Sequence, residues 1–223
     1  MEIAQSSSYR VLDFGCGTGS FLYQAKLAGA NIRGIELDES AVSICHELGL
    51  VSVENGGIES LDSINDKFNL IVLNDVIEHP LNPGILIAQL ANLLTEAGKI
   101  MIWTPNGDEI ESDKDKVTLR VDLEHMQYLT SGAIKELCYQ SNLEVFHYAQ
   151  LGYPTEVNVI HRQKTNDVKF GAKSILARVV KYFGLERNIK QLLKYIRIST
   201  AENRAPNGNY HLFSILRNSR EKR

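Results

Sequence analysis

The chain has 223 residues, 43% of them apolar and 23% charged, with a formal net charge of -3. These are the proportions of an ordinary globular protein, with enough length for one large domain. No apolar run approaches the roughly 18 residues of a membrane span, and Met1 to Arg10 lacks the basic-then-apolar order of a secretory signal. Cys16, Cys45 and Cys138 are odd in number and lack CxxC spacing, which excludes a disulfide framework or zinc ribbon and makes the cytoplasm the expected setting. The charge is uneven: residues 1–160 hold 9 Lys+Arg against 23 Asp+Glu, and residues 161–223 hold 15 against 4. An acidic body therefore carries a basic C-terminal segment.

In chain order, Tyr9–Phe14 reads as a first strand, followed by a helix over Thr18–Ala28 with Thr18 or Ser20 as cap and Gly29 closing it. Asn31–Glu36 is a second strand, Glu39–Leu48 a second helix ending at Gly49, and Leu50–Glu54 a third strand. Phe68–Leu73 is apolar without alternation, as in a strand covered on both faces. Pro83–Thr95 places Leu86, Leu90, Leu93 and Leu94 on one helical face and stops before Gly98. Lys99–Thr104 is a fifth strand, Thr130–Ser141 a helix and Leu143–Leu151 a sixth strand. Strands alternating with helices imply parallel βαβ units in a doubly wound sheet, whose ligands sit beyond the carboxyl ends of the strands.

The alternation then stops. Ile175, Leu176, Val179 and Phe183 share one helical face, and Leu185, Ile189, Leu192, Leu193 and Ile196 share a second. Lys173, Arg178, Lys181, Arg187, Lys190, Lys194 and Arg197 fill much of the remainder. Asn207-Gly208-Asn209 is a turn signal, and Tyr210–Arg217 reads as a final strand lying antiparallel to Leu143–Leu151. The expected organisation is an α/β Rossmann-like core over 1–153, a basic helical insertion over 154–206, a final strand over 207–217 and a tail over 218–223. The sheet would have seven strands with an antiparallel last strand.

Val11-Leu12-Asp13-Phe14-Gly15-Cys16-Gly17-Thr18-Gly19 joins the first strand to the first helix, and Glu36 ends the second strand. Glycines there permit a sharp turn and close ligand approach, and an acid at that strand end suits ribose hydroxyls. A dinucleotide binder carries G-x-G-x-x-G/A, whereas Gly15, Gly17 and Gly19 give G-x-G-x-G, with Ser20 following. Asp13 would face a pyrophosphate with like charge but suits a ligand carrying an ammonium and a sulfonium. Asp75 and Glu78 add acid to the same rim. The charge therefore favours S-adenosylmethionine over NAD.

Val11–Leu22, Gly34-Ile35-Glu36-Leu37-Asp38, the run from Phe68 to His79 and the run from Leu94 to Asn106 resemble class I S-adenosylmethionine-dependent methyltransferases. The likeness is greatest to the branch containing ubiquinone-biosynthesis O-methyltransferases and sugar and natural-product methyltransferases. It covers about residues 9–150 and the final strand. The resemblance implies that Gly15 and Gly17 approach the methionine end of the cofactor, within the loop that Cys16 and Gly19 complete. Asp13 would hold the ammonium, and Glu36 the ribose hydroxyls. Leu37 would pack on adenine, Ile58 and Glu59 would meet the same ring, and Asn74 would lie beside the sulfonium. Gly57 stands where many members carry an acid, and only about eight residues precede the first strand where the family usually has a helical cap.

Methyl transfer is an in-line displacement in which alignment and water exclusion dominate, and a hydroxyl acceptor also needs a base. His125 and His79 are the candidate bases, and the resembling branch has a His at both places; each could instead brace its own loop. Glu78, His79, Asp122, Glu124 and His125 offer ligands to a divalent cation, but their spacing matches no recognised motif, and no metal is expected. The remaining histidines, His46, His147, His161 and His211, read as structural or solvated. The expected function is transfer of a methyl group to a small-molecule acceptor. A hydroxyl of a glycan, quinone-like or natural-product intermediate is favoured. An NAD-type oxidoreductase and a non-catalytic cofactor-binding module are the alternatives. The basic insertion has three readings: a lid, a recognition element for an anionic or lipid-linked acceptor, and a peripheral membrane contact through residues 168–198. Nucleic acid is not an expected partner, because the acidic body would repel it.

Overall fold

The computed structural model describes residues 9–108, 125–151 and 211–219. The first strand, β1 (Arg10–Phe14), leads through the glycine loop into α1 (Ser20–Leu27), and β2 (Asn31–Glu36), α2 (Glu39–Glu47) and β3 (Val53–Asn55) follow. A 3-10 helix (Ile58–Ser63) precedes β4 (Phe68–Asn74), and α3 (Pro83–Asn92) precedes β5 (Leu94–Pro105). After α4 (Ser131–Gln140) come β6 (Leu143–Leu151) and β7 (His211–Asn218). The strands form one seven-stranded sheet in the order β3-β2-β1-β4-β5-β7-β6. The first five run parallel, while β7 is antiparallel to both β5 and β6, as the sequence predicts.

Helices cover both faces, so the central strands are buried on both sides. Leu12, Ile71, Leu73 and Ile100 join Leu86, Ile87 and Leu90 of α3 in the larger core cluster. Val11, Leu70, Val72 and Met101 face the opposite layer with Ala25 of α1. The β1–β4 pairing sets Val11 opposite Leu70 and Asp13 opposite Val72, which brings the carboxyl ends of β1 and β4 side by side.

The differences from the predicted elements have local causes. Neither Thr18 nor Ser20 caps α1: its N-cap is Gly19, in the left-handed region at φ 78°, with no side-chain hydrogen bond. Leu50, predicted in the third strand, is instead fully buried in the turn before β3, between α2 and the sheet. The third helix stops at Asn92 because the Leu93 carbonyl accepts the Phe68 N–H at 2.8 Å, turning the chain into the sheet early. β5 thus starts at Leu94, with a register shift against β4 between Phe68 and Leu70. Asn218, expected in the tail, closes β7 opposite Leu143. The predicted insertion over 154–206 lies outside the described residues, as does Tyr210.

Candidate active site

Gly15 and Gly17 adopt φ of 74° and 52°, the left-handed region where a side chain is strained. The Gly15 and Cys16 N–H groups both donate to the Ile35 carbonyl, at 2.8 and 3.2 Å, tying the loop to β2. A Cβ at Gly15 would lie 2.4 Å from Val76 Cγ2, whereas one at Gly17 would meet nothing within 4 Å. Gly17 therefore opens onto space that a ligand can enter. Its N–H donates to Glu36 Oε2 at 2.6 Å, and Glu36 Oε1 accepts from the Asp38 N–H at 2.9 Å. The two predicted cofactor-binding elements, loop and acid, are thus in direct contact.

Asp13 sits under this loop, 2% exposed, and its Oδ1 is buried without a hydrogen-bond partner. Burial first, and the Glu36 carboxylate second, push its carboxyl up to about 7. A buried carboxylate with an oxygen lacking a donor carries a desolvation cost that a nearby cation would offset.

The remaining predicted cofactor contacts line the ends of β2, β3 and β4. Leu37 is 75% exposed, an apolar side chain at the strand end with nothing covering most of it. Ile58 is half-buried and packs against the main core. Glu59 Oε1 accepts the Gly57 N–H at 2.8 Å, and such backbone hydrogen bonds hold its carboxyl below the usual range. Glu59 is thus engaged with the backbone of the position where the resembling family carries an acid. Asn74 is exposed at the end of β4, and its Nδ2 donates to Asp75 Oδ2 at 3.3 Å. Asp75 itself has φ 53°, a conformation rare for a residue other than glycine.

The two candidate bases, far apart in sequence, come together: the His79 and His125 rings are 4.9 Å apart, tilted by 44°. The link between them is backbone, since the Met126 and Gln127 N–H groups donate to the Glu78 carbonyl at 3.0 and 3.3 Å. Gln127 Nε2 also donates to the Pro80 and Ile77 carbonyls, at 2.7 and 3.3 Å. The Tyr128 hydroxyl lies 3.5 Å from His125 Nδ1.

Glu78 corrects the sequence reading. It is fully buried rather than on an acidic rim, with Oε2 accepting from the Thr104 hydroxyl at 2.9 Å and Oε1 buried without a partner. Burial pushes its carboxyl up to about 7, assisted by Asp75. Ligand atoms of Glu78, His79 and His125 all lie within 4.8 Å of one another, a carboxylate–imidazole set that could hold a divalent cation. Asp122 and Glu124, grouped with them on sequence, lie outside the described residues. The sequence marks Glu78 by its place after the fourth strand and beside His79, but nothing in the spacing reveals that Thr104, at the end of β5, covers it.

Comparison with known proteins agrees with this architecture. Residues 2–148 match the methyltransferase domain family. The chain belongs to that family. It is 30% identical over 103 residues to the ubiquinone biosynthesis O-methyltransferase of Dechloromonas aromatica, covering 44% of each chain. It is 24% identical over 178 residues to the enzyme of that name from Aromatoleum aromaticum, covering 72% of this chain and 75% of the other. The chain spans under half the length of the relatives of that name from Dechloromonas aromatica, Glaesserella parasuis and Pseudomonas syringae. Among solved structures, a SAM-dependent methyltransferase from Archaeoglobus fulgidus superposes with a TM-score of 0.59 at 21% identity, over 95% of this chain and 86% of that one. The plantazolicin methyltransferase BpumL gives 0.60 at 20% identity, over 95% and 77%. Both share the fold.

Proposed function

We propose that the chain is an S-adenosylmethionine-dependent methyltransferase acting on a hydroxyl of a small-molecule acceptor. The observation that carries the reading is Asp13: a buried carboxylate with Oδ1 lacking a partner, beneath an open glycine loop, calls for a cationic ligand. The ammonium of the methionine moiety supplies that cation, and a pyrophosphate would place like charge there. When bound, the cofactor supplies a methyl group already activated on a sulfonium. Gly15, Cys16, Gly17 and Gly19 form the wall along its methionine end. Glu36, whose Oε2 accepts the Gly17 N–H, would hold the ribose hydroxyls. Leu37, Ile58 and Glu59 would border the adenine, and Asn74 would lie beside the sulfonium. His125 takes the acceptor's proton on its imidazole, and His79, 4.9 Å away, orients it. A glycan, quinone-like or natural-product hydroxyl fits this division of labour, and the names of the ubiquinone-pathway relatives support it.

An anionic or lipid-linked acceptor is proposed on charge alone, from the 15 Lys+Arg against 4 Asp+Glu in residues 161–223. No helix among the described residues is long and apolar enough to cross a membrane. Peripheral contact through residues 168–198 is tested by sedimentation with neutral and anionic vesicles.

The deciding experiment is parallel calorimetric titration with S-adenosylmethionine, S-adenosylhomocysteine and NADH. Micromolar binding of the first two without the third supports the reading. Binding of NADH alone would replace it with an oxidoreductase, and binding without transfer to any acceptor in a screen of sugars, nucleotide sugars and phenols would leave a non-catalytic module.

A further inference from the structure

Cys16 lies in the glycine loop and Cys45 near the end of α2, and the fold brings their side chains together. Cys45 Sγ is 3.3 Å from the Gly17 carbonyl oxygen, and Cys16 Sγ is 3.8 Å from the same oxygen. Cys16 also packs against the small apolar cluster that contains Cys45. Two glycines clear the space for them: a Cβ at Gly19 would lie 2.9 Å from Cys45 Sγ, and one at Gly34 would lie 3.0 Å from Cys16 Sγ. Their exposures differ, since Cys45 is fully buried and Cys16 is half-buried in the loop. The chain thus presents one reachable thiol with a second directly behind it.

We propose that Cys16 and Cys45 form a reversible disulfide when the protein meets a peroxide, and that this bond weakens cofactor binding at the adjoining loop. The first part rests on the sulfur geometry alone; the second rests on the cofactor reading above. In the first step Cys16 sulfur attacks a peroxide oxygen, the O–O bond breaks, and Cys16 becomes a sulfenic acid with loss of water. Cys45 sulfur then attacks Cys16 sulfur and expels the hydroxyl, which leaves with the thiol proton as a second water. Two thiols and one hydrogen peroxide give one disulfide and two waters, with two electrons passing to the peroxide.

The link to the cofactor is mechanical. A disulfide carries no S–H, so forming it takes both thiol donors from the Gly17 carbonyl. Gly17 also donates its N–H to Glu36 Oε2 at 2.6 Å, so a shift of this residue disturbs loop and ribose-binding acid together. Burial, together with the Asp13 and Glu36 carboxylates, pushes the Cys16 thiol up. Little of it is thiolate at neutral pH, so its oxidation is slow and calls for sustained exposure to peroxide. Cys138 is an internal control, since it is buried in the larger core cluster, apart from this pair.

The test treats the full chain with hydrogen peroxide, blocks remaining thiols with iodoacetamide under denaturing conditions, and maps peptides without reduction. A linked Cys16–Cys45 peptide, two hydrogens lighter than its parts, is expected, with Cys138 alkylated. S-adenosylhomocysteine affinity is expected to fall at least tenfold and to recover in dithiothreitol. Cys45→Ser, with Cys45→Ala as a second variant should the first fold poorly, should keep its affinity after peroxide. Absence of the linked peptide, with Cys16 carrying only oxygen adducts, would overturn the disulfide. A linked peptide with unchanged affinity would overturn the switch. Failure of the reduced protein to bind S-adenosylhomocysteine would sink the cofactor reading, while the peptide map would still judge the disulfide.

Discussion

Asp13→Asn separates what the buried carboxylate costs the fold from what it contributes to binding. The Asp13 carboxyl is pushed from 3.8 to about 7, by burial first and Glu36 second. A carboxyl raised by folding contributes stability that is complete below 3.8 and lost as pH rises through about 7. At about 1.4 kcal/mol per unit, the unliganded protein forfeits on the order of 4 kcal/mol by about pH 8. Asparagine keeps the shape and does not titrate. Asp13→Asn should therefore be more stable than wild type at pH 8, by up to about 4 kcal/mol less the smaller cost of a buried unpaired amide, with the gain shrinking toward pH 5. Binding should show the reverse. A ligand ammonium favours ionised Asp13, so affinity for S-adenosylhomocysteine should fall about tenfold per unit below pH 7, roughly 100-fold at pH 5. The assays are thermal denaturation at both pH values and calorimetry near pH 6 in two buffers of different ionisation enthalpy, where wild type should release a proton on binding. Equal wild-type affinity at pH 5 and 8 with no proton release would refute the reasoning, as would a variant less stable than wild type at pH 8.

Three further outcomes are expected. His125→Ala should lower turnover by about 100-fold or more with S-adenosylhomocysteine affinity unchanged; near-normal turnover with the acceptor found by screening would remove His125 as base. Gly15→Ala places a Cβ 2.4 Å from Val76 Cγ2 at φ 74° and should cost about 1–3 kcal/mol, read as a lower melting temperature. Turnover should survive EDTA; a loss restored by added magnesium or manganese would instead make Glu78, His79 and His125 a metal site.

The fold was legible because its signals are local. A strand-length run without alternation marked β4, glycines marked the loop and the ends of the first two helices, and Leu143–Leu151 emerged with both bounds as expected. Asp13, the loop and Glu36 were legible for the same reason, since short stretches carry them. What sequence could not show depends on packing between distant segments. Leu50 looks like a strand residue until α2 claims it for the core. Glu78 looks like a surface acid until Thr104 and the backbone of Met126 and Gln127 close around it. The contact of Cys16 with Cys45, separated by α1 and β2, likewise follows only from the βαβ winding. His79 and His125 were each picked out singly, but their pairing required the Glu78 carbonyl to anchor the second segment.

The place of β7 in the sheet has a consequence for biosynthesis. It lies between β5 and β6, yet it is synthesised about sixty residues after β6 ends. While the ribosome works through that interval, β5 has an unsatisfied edge and β6 has no strand to pair with. The parallel half can assemble early from contacts close in sequence, whereas the antiparallel half waits for Asn218. A nascent chain stalled within that interval would present the β5 backbone to any other strand in reach, making this stretch of translation the one at which chaperone binding and self-association compete most directly with folding.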